Sequence, residues 1–188
     1  MQELATEHEF VFDTASADID EKAIGDREGS PPEALVLLLS HAKAAAIIDK
    51  LTSTQQLLEG LLVTCDQVVV HNGKILEKPQ DEAEARRFIA GYATAPASTI
   101  SAIVCIDLAT GKTCQGVDVA TIHFSPIPQD SIDTLIKEGE VYWCAGGLMV
   151  EHPLVEPHVT RLDGALDSVM GLPKELTLKL LNQAANGL

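Results

Sequence analysis

The stretch that most restricts the fold of this chain runs from Leu61 to Val70, Leu-Leu-Val-Thr-Cys-Asp-Gln-Val-Val-Val. A Val-rich apolar run of this length reads as a buried strand. Asn72-Gly73 follows at once and predicts a tight hairpin returning along Lys74 to Leu76, because both turn positions favour residues that tolerate positive φ. The chain is therefore committed to a sheet. Asp66 interrupts that strand, and a carboxylate there is costly unless it is paired, hydrogen-bonded or metal-bound. Two readings are open: the solvent end of a strand or a pair with a structural Lys, against a functional acid.

Helix-period and strand-period segments alternate around this centre. Glu9 to Phe12 reads as a short strand, followed by an acidic turn. Ser30-Pro31-Pro32-Glu33 opens a helix, with Ser30 as cap and Glu33 completing a capping box. That helix runs to about Leu51 and carries Leu35, Leu38, Leu39, Ala42, Ala46 and Ile47 on one apolar face. Pro79 and Asp81 precede a short helix ending near Gly91. Thr99 to Leu108 and Thr113 to Phe124 read as paired strands. Asp130 to Glu138 is a helix closed by Gly139, and a last helix extends from Pro173 to about Asn186. The order argues for an α/β or α+β fold with a mixed sheet and flanking helices, as one domain over residues 1–188.

Charge then narrows the functions. The chain carries 13 Lys and Arg against 28 Asp and Glu, a net −15. A phosphate-tracking groove needs clustered cations, so nucleic acid is not an expected partner, and the same charge would be repelled by an anionic membrane. The longest apolar stretch, Ala34 to Leu39, stops at Ser40, far short of a span. The opening residues lack the basic and apolar regions of a signal peptide. Cys65, Cys105, Cys114 and Cys144 form no Cys-x-x-Cys pair and read as reduced thiols of a cytoplasmic protein.

Gly111-Lys112-Thr113 resembles the end of a phosphate loop, but Ile106 stands where the first glycine is required, and a turn explains it better. His152 and His158 flank Glu156 without further ligands at metal-site spacing. Gly146-Gly147 could form an anion nest but reads more plainly as a bend. Lys43 shares the apolar ridge of its helix, as a snorkelling lysine or as a site residue. Lys78 lies just past the hairpin that follows Asp66. Asp18, Asp20 and Glu21 form an acidic cluster, a solvated turn or a source of metal ligands. Two carboxylate sources and two lysines in an acidic protein suit a Mg²⁺-polyphosphate.

Ala17-Asp18-Ile19-Asp20-Glu21, His41-Ala42-Lys43-Ala44, Asp66-Gln67-Val68-Val69, Glu77-Lys78-Pro79 and Cys144-Ala145-Gly146-Gly147 stand in the order of the Maf family, and the chain resembles that family over almost its whole length. Gly164 and Ser168-Val169-Met170-Gly171-Leu172-Pro173 look like its closing motif. The resemblance implies an elongated fold of two lobes around a cleft, related to the inosine triphosphatases. It implies a cytoplasmic house-cleaning hydrolase of nucleotide metabolism, a pyrophosphatase releasing pyrophosphate from a nucleoside triphosphate with Mg²⁺ or Mn²⁺. Asp66 would be the proton acceptor, Glu21, Lys43 and Lys78 the other catalytic positions, and Glu21 and Asp66 the metal ligands, with a homodimer as a further option. The family opens with a strand and a Ser-x-Ser-x-x-Arg loop, whereas Met1 resembles a point inside the helix that follows, so the expectation is an N-terminally truncated form.

Two further positions distinguish branches of the family. The branch acting on dTTP and UTP typically has Thr and Gln there, and the branch acting on 7-methyl-GTP has Gln and Glu. Gln67 and Glu151 match the second. A carboxylate offers only acceptors, and guanine presents two adjacent donors for a bidentate pair. The expected substrate is therefore 7-methyl-GTP. The alternatives are dTTP or UTP, or a catalytically inactive interaction protein.

Overall fold

Five strands make the framework of the computed structural model, which describes residues 1–54 and 59–186. β1 (Leu61–His71), β2 (Lys74–Leu76), β3 (Ala97–Asp107), β4 (Thr113–Phe124) and β5 (Val159–Asp163) lie in the order β2-β1-β3-β4-β5. Every pairing is antiparallel, so the sheet is not mixed as expected. Connectivity dictates this for two of the four pairs: tight turns join β1 to β2 and β3 to β4, and a parallel neighbour there would need a long crossover. Asn72 and Gly73 both take positive φ, 50° and 71°, as the predicted hairpin requires.

The helices are α1 (Gln2–Glu7), α2 (Pro32–Ser53), α3 (Glu82–Gly91), α4 (Gln129–Glu138), α5 (Leu166–Val169) and α6 (Lys174–Asn186). Four single 3₁₀ turns sit between them, at Glu21–Ala23, Glu140–Trp143, Ala145–Gly147 and Glu156–His158. α2 covers one face of the sheet, packing Leu35, Val36 and Leu39 against Val68, Ile100 and Ala102. α6 covers part of the other face through Leu180 and Ala184 on Ile103 and Cys105. Beside α6 on that face lies a larger core, in which Phe88 and Ile89 of α3 and Ile132 and Leu135 of α4 join Val69, Ala120 and Ile122.

Several local expectations are corrected. Glu9 to Phe12 forms no strand: the Phe10 amide is spent on the Ala5 carbonyl, Glu9 turns left-handed, and Val11 stands fully exposed. α2 begins one residue later than a Ser30 cap would need, so Pro31 occupies the cap position without a side-chain hydrogen bond. The buried stripe of α2 includes Val36, Ser40 and Ala44, while Leu38 is 48% exposed. Ser40 belongs inside because its hydroxyl donates to the Ala102 carbonyl at 3.1 Å, and Thr64 donates to the Ser40 carbonyl at 2.8 Å. β5 and α5 are short elements not expected from the sequence.

One feature of the sheet positions the cleft. β2 pairs with β1 only over Val69–His71, so among the described residues the Leu61–Val68 edge of β1 has no strand beside it.

Candidate active site

β1 alternates, so neighbouring residues face opposite sides of the sheet. Asp66 lies with Val68 towards α2, and Gln67 lies with Val69 towards the opposite layer. The site is built from both faces at once.

On the α2 face, the Lys43 ammonium lies 2.6 Å from Asp66 Oδ1 and 2.9 Å from Glu21 Oε1. Lys43 is brought there by a helix that must lie flat on β1 to bury Leu39 and Ala44. Asp66 is buried, with its side chain only 7% exposed, whereas Glu21 is half exposed on its 3₁₀ turn. Burial pushes the Asp66 carboxyl above the ordinary carboxylate value, and Lys43 restores only part of the difference. Burial acts to lower the Lys43 ammonium, but Asp66 and Glu21 together outweigh it and raise it. The rest of the predicted acidic cluster disperses. Asp18 lies 3.7 Å from Lys50, and Asp20 caps the 3₁₀ turn by accepting from the Lys22 amide.

Asp66, Glu21 and Lys78 line a cleft of about 460 Å³ together with Arg27. Lys78 is exposed and enters no salt bridge among the described residues. Its position is set from beneath. The Gly146 amide donates to the Glu77 carbonyl at 2.9 Å, and Tyr92 donates to the Gly146 carbonyl at 2.6 Å. Gly146 has φ +64°, and a β-carbon there would meet the Tyr92 hydroxyl at 2.4 Å, so only glycine fits. The double glycine is thus a bend that anchors the Lys78 loop, the plainer of its two readings.

On the opposite face, Gln67 donates both amide hydrogens, to Ser101 Oγ at 2.8 Å and to the Ser168 carbonyl at 2.7 Å. Only its oxygen is left to meet a ligand. Gln67 lines a second cavity of about 650 Å³ with Glu151, Glu140 and Thr99. The two cavities share Gln67, Lys78, Trp143 and Ala145, so they form one continuous trough. The structure therefore brings Glu21 and Asp66, with Lys43 bonded to both, to one end, places Glu151 at the other, and sets Gln67 and Lys78 where the two ends join.

Three residues of the trough were not anticipated. Arg27 braces two loops: it is 2.8 Å from Glu77 Oε1, donates to the Glu21 carbonyl at 2.6 Å, and donates to the Ile24 carbonyl. It therefore ties the Glu21 turn to the Lys78 loop, across a sequence separation no periodicity reveals. Thr99 has a buried hydroxyl with no hydrogen-bond partner among the described residues. Trp143 stands 78% exposed where the cavities meet. The histidines of the Glu156 loop are engaged elsewhere: His152 Nε2 faces Glu138 at 3.0 Å and its Nδ1 accepts from the Leu154 amide, while His158 faces Ser125.

No group of three metal-ligating side chains gathers among the described residues. Glu21 and Asp66, which line one cleft and share the Lys43 ammonium, are nonetheless the hard oxygen donors that suit Mg²⁺, commonly held by one or two carboxylates with the remaining positions filled by substrate phosphates and water. No helix among the described residues is long and apolar enough to cross a membrane. All four cysteines are free.

A family model described as "Maf-like protein" matches residues 2–184. A 7-methyl-GTP pyrophosphatase of Dictyostelium discoideum is 41% identical over 94% of this chain and 88% of its own length. A dTTP/UTP pyrophosphatase of Aliivibrio fischeri is 30% identical over 97% of this chain and 92% of its own. One of Bdellovibrio bacteriovorus is 30% identical over 79% and 76%.

Proposed function

Because this chain belongs to the Maf-like protein family, we propose that it is a nucleoside triphosphate pyrophosphatase whose preferred substrate is 7-methyl-GTP. The observation that carries the reading is the trough itself. A buried carboxylate on a lysine stands at one end, a hydrogen-bond acceptor set reaches the other, and Lys78, with no salt bridge among the described residues, lines both.

Asp66 receives the proton of the attacking water. Its raised proton affinity makes it a better base than an exposed carboxylate, and its place on a packed strand fixes its direction. The water oxygen bonds to the α-phosphorus, the bond from that phosphorus to the bridging oxygen breaks, and pyrophosphate leaves. Lys43 and Lys78 hold phosphate oxygens and stabilise the charge that builds on the departing group. Glu21 and Asp66 would hold a Mg²⁺ or Mn²⁺ ion, which when bound would neutralise phosphate charge and polarise the phosphorus–oxygen bonds.

Base choice is assigned to the other end. The Gln67 amide hydrogens are spent, so Gln67 Oε1 and the Glu151 carboxylate present acceptors. The guanine edge supplies an N–H and an amino group to match them, whereas uracil and thymine place a single N–H between two carbonyls. The Dictyostelium relative's name points the same way.

The test is to incubate the protein with 7-methyl-GTP, GTP, UTP and dTTP in Mg²⁺ and identify the products. Nucleoside monophosphate and pyrophosphate, formed fastest from 7-methyl-GTP, are expected. Orthophosphate in place of pyrophosphate overturns the reaction, and a preference for UTP or dTTP overturns the base assignment.

A further inference from the structure

Trp143 is the single tryptophan of the chain, and nothing in the reaction described above uses it. It ends the 3₁₀ turn Glu140–Trp143, is 78% exposed, and lines both cavities at their junction. A large aromatic left in water at the mouth of a cavity is a surface that a planar ligand can cover.

Its surroundings state which kind of planar ligand. The cavity on its base side carries two carboxylates, Glu140 and Glu151, and the free oxygen of Gln67. His152 has both ring nitrogens occupied, one by Glu138 and one by the Leu154 amide, so it offers the cavity no free donor. Lys78, shared with the other cavity, is the one lysine or arginine lining this one among the described residues. An exposed indole beside acidic acceptors suits a planar cation that also carries N–H donors, since a cation over an indole face is held more strongly than a neutral ring. Methylation at N7 gives guanine that positive charge. UTP and dTTP carry neutral bases.

We propose that Trp143 is a specificity-determining residue, a stacking platform that favours the cationic 7-methylguanine ring over neutral bases. The inference rests on the nucleotide reading above but concerns the binding of the base, not the chemistry. Trp143 acts on the base and not on the phosphates, so its loss should weaken binding of methylated substrate far more than turnover.

Because Trp143 is the one tryptophan, its fluorescence reports on its own surface. The full chain is titrated with 7-methyl-GMP and with GMP, product-like probes that have no pyrophosphate to lose. Saturable quenching by 7-methyl-GMP, at concentrations several-fold below those needed for GMP, is expected. In parallel, Trp143→Ala should raise KM for 7-methyl-GTP about 10-fold, the size of one lost base–aromatic contact, with kcat within about twofold. Trp143→Phe, which keeps an aromatic face, should recover most of that loss, and unchanged thermal melts of both variants separate binding from folding. Pyrophosphate release from 7-methyl-GTP with an unaltered KM in Trp143→Ala, and no quenching by either probe, overturns the platform while leaving the pyrophosphatase reading intact. Saturable quenching preferring 7-methyl-GMP, in a protein that releases no pyrophosphate from any nucleotide, supports the platform and overturns the reaction.

Discussion

Asp66 and Gln67 are neighbours in the chain, yet their surroundings have little in common. On the α2 face the charges touching Asp66 are matched: Lys43 spans Asp66 and Glu21, and Arg27 spans Glu77 and the Glu21 turn, while Lys78 in the same cleft enters no salt bridge among the described residues. On the opposite face the groups around Gln67 are left with unused capacity, in an exposed indole, an exposed Glu151 and a buried Thr99 hydroxyl without a partner among the described residues. The first arrangement fixes a carboxylate in one geometry, as proton transfer requires. On the proposed reading, the second leaves the groups that recognise the base free to meet it. On that reading, a strand's two-residue alternation separates chemistry from recognition with one peptide bond between them.

The comparison is broken most severely at Asp66. Asp66→Asn keeps the side-chain shape and removes the base, and should lower kcat by roughly 100-fold or more for every nucleotide accepted. Lys43 retains Glu21 as a partner in this variant, so the protein should remain folded by circular dichroism. Near-normal turnover would remove Asp66 from the role given to it.

Glu151→Gln probes the recognition side. Exchanging an acceptor-only group for one with donor and acceptor should shift the kcat/KM ratio of 7-methyl-GTP to UTP towards UTP by about 10-fold, the scale of one charge-assisted hydrogen bond. Steady-state kinetics with both nucleotides measures it, and an unchanged ratio would make Glu151 a solvated acid at the rim.

Thr99→Val sharpens the contrast in stability. Removing a buried hydroxyl without a partner relieves a penalty of about 1–3 kcal/mol, and valine suits a strand. The melting temperature should rise by about 2–4 °C for each kcal/mol relieved. A fall on calorimetry would mean that the hydroxyl is satisfied in solution.

The last effect is read in thiol reactivity and leaves turnover untouched; it concerns Cys65, the residue before Asp66, whose thiol donates to the Gly171 carbonyl. Burial, reinforced by the Asp66 charge, pushes this thiol up to about 12. The thiolate is the reactive form, so alkylation by iodoacetamide at pH 8 should run roughly three orders of magnitude slower than for an ordinary exposed thiol. Because the folded value is the raised one, this contribution to stability is intact below about pH 8.5 and is lost as pH climbs towards 12. Rapid alkylation of Cys65 in the folded protein would contradict the burial.

Much of this was legible in the sequence where local chemistry decides structure. The Asn72-Gly73 turn, the Asp81 cap of α3 and the left-handed Gly139 closing α4 each follow from a residue's own conformational preference. The candidate acids and lysines were legible too, Asp66 as an acid inside an apolar run and the others by their place in recognisable segments. What escaped depends on distant partners. Arg27 acquires its importance from Glu77, fifty residues away, and Ser40 is buried because Ala102 and Thr64 bond to it. Glu9 to Phe12 fails as a strand for the converse reason, since no neighbouring strand receives it. Antiparallel pairing throughout was hidden because strand direction is set by connections, whereas composition reports only burial.

The claim that chemistry and recognition are separated across β1 can be tested in one experiment. The kcat/KM ratio of 7-methyl-GTP to UTP is measured for the wild type, for Asp66→Asn and for Glu151→Gln. Asp66→Asn should depress both substrates by the same factor and leave the ratio unchanged, while Glu151→Gln moves the ratio and leaves kcat for 7-methyl-GTP within a few-fold. A ratio that shifts as far in Asp66→Asn as in Glu151→Gln would show that the two faces act as one site and would contradict the account.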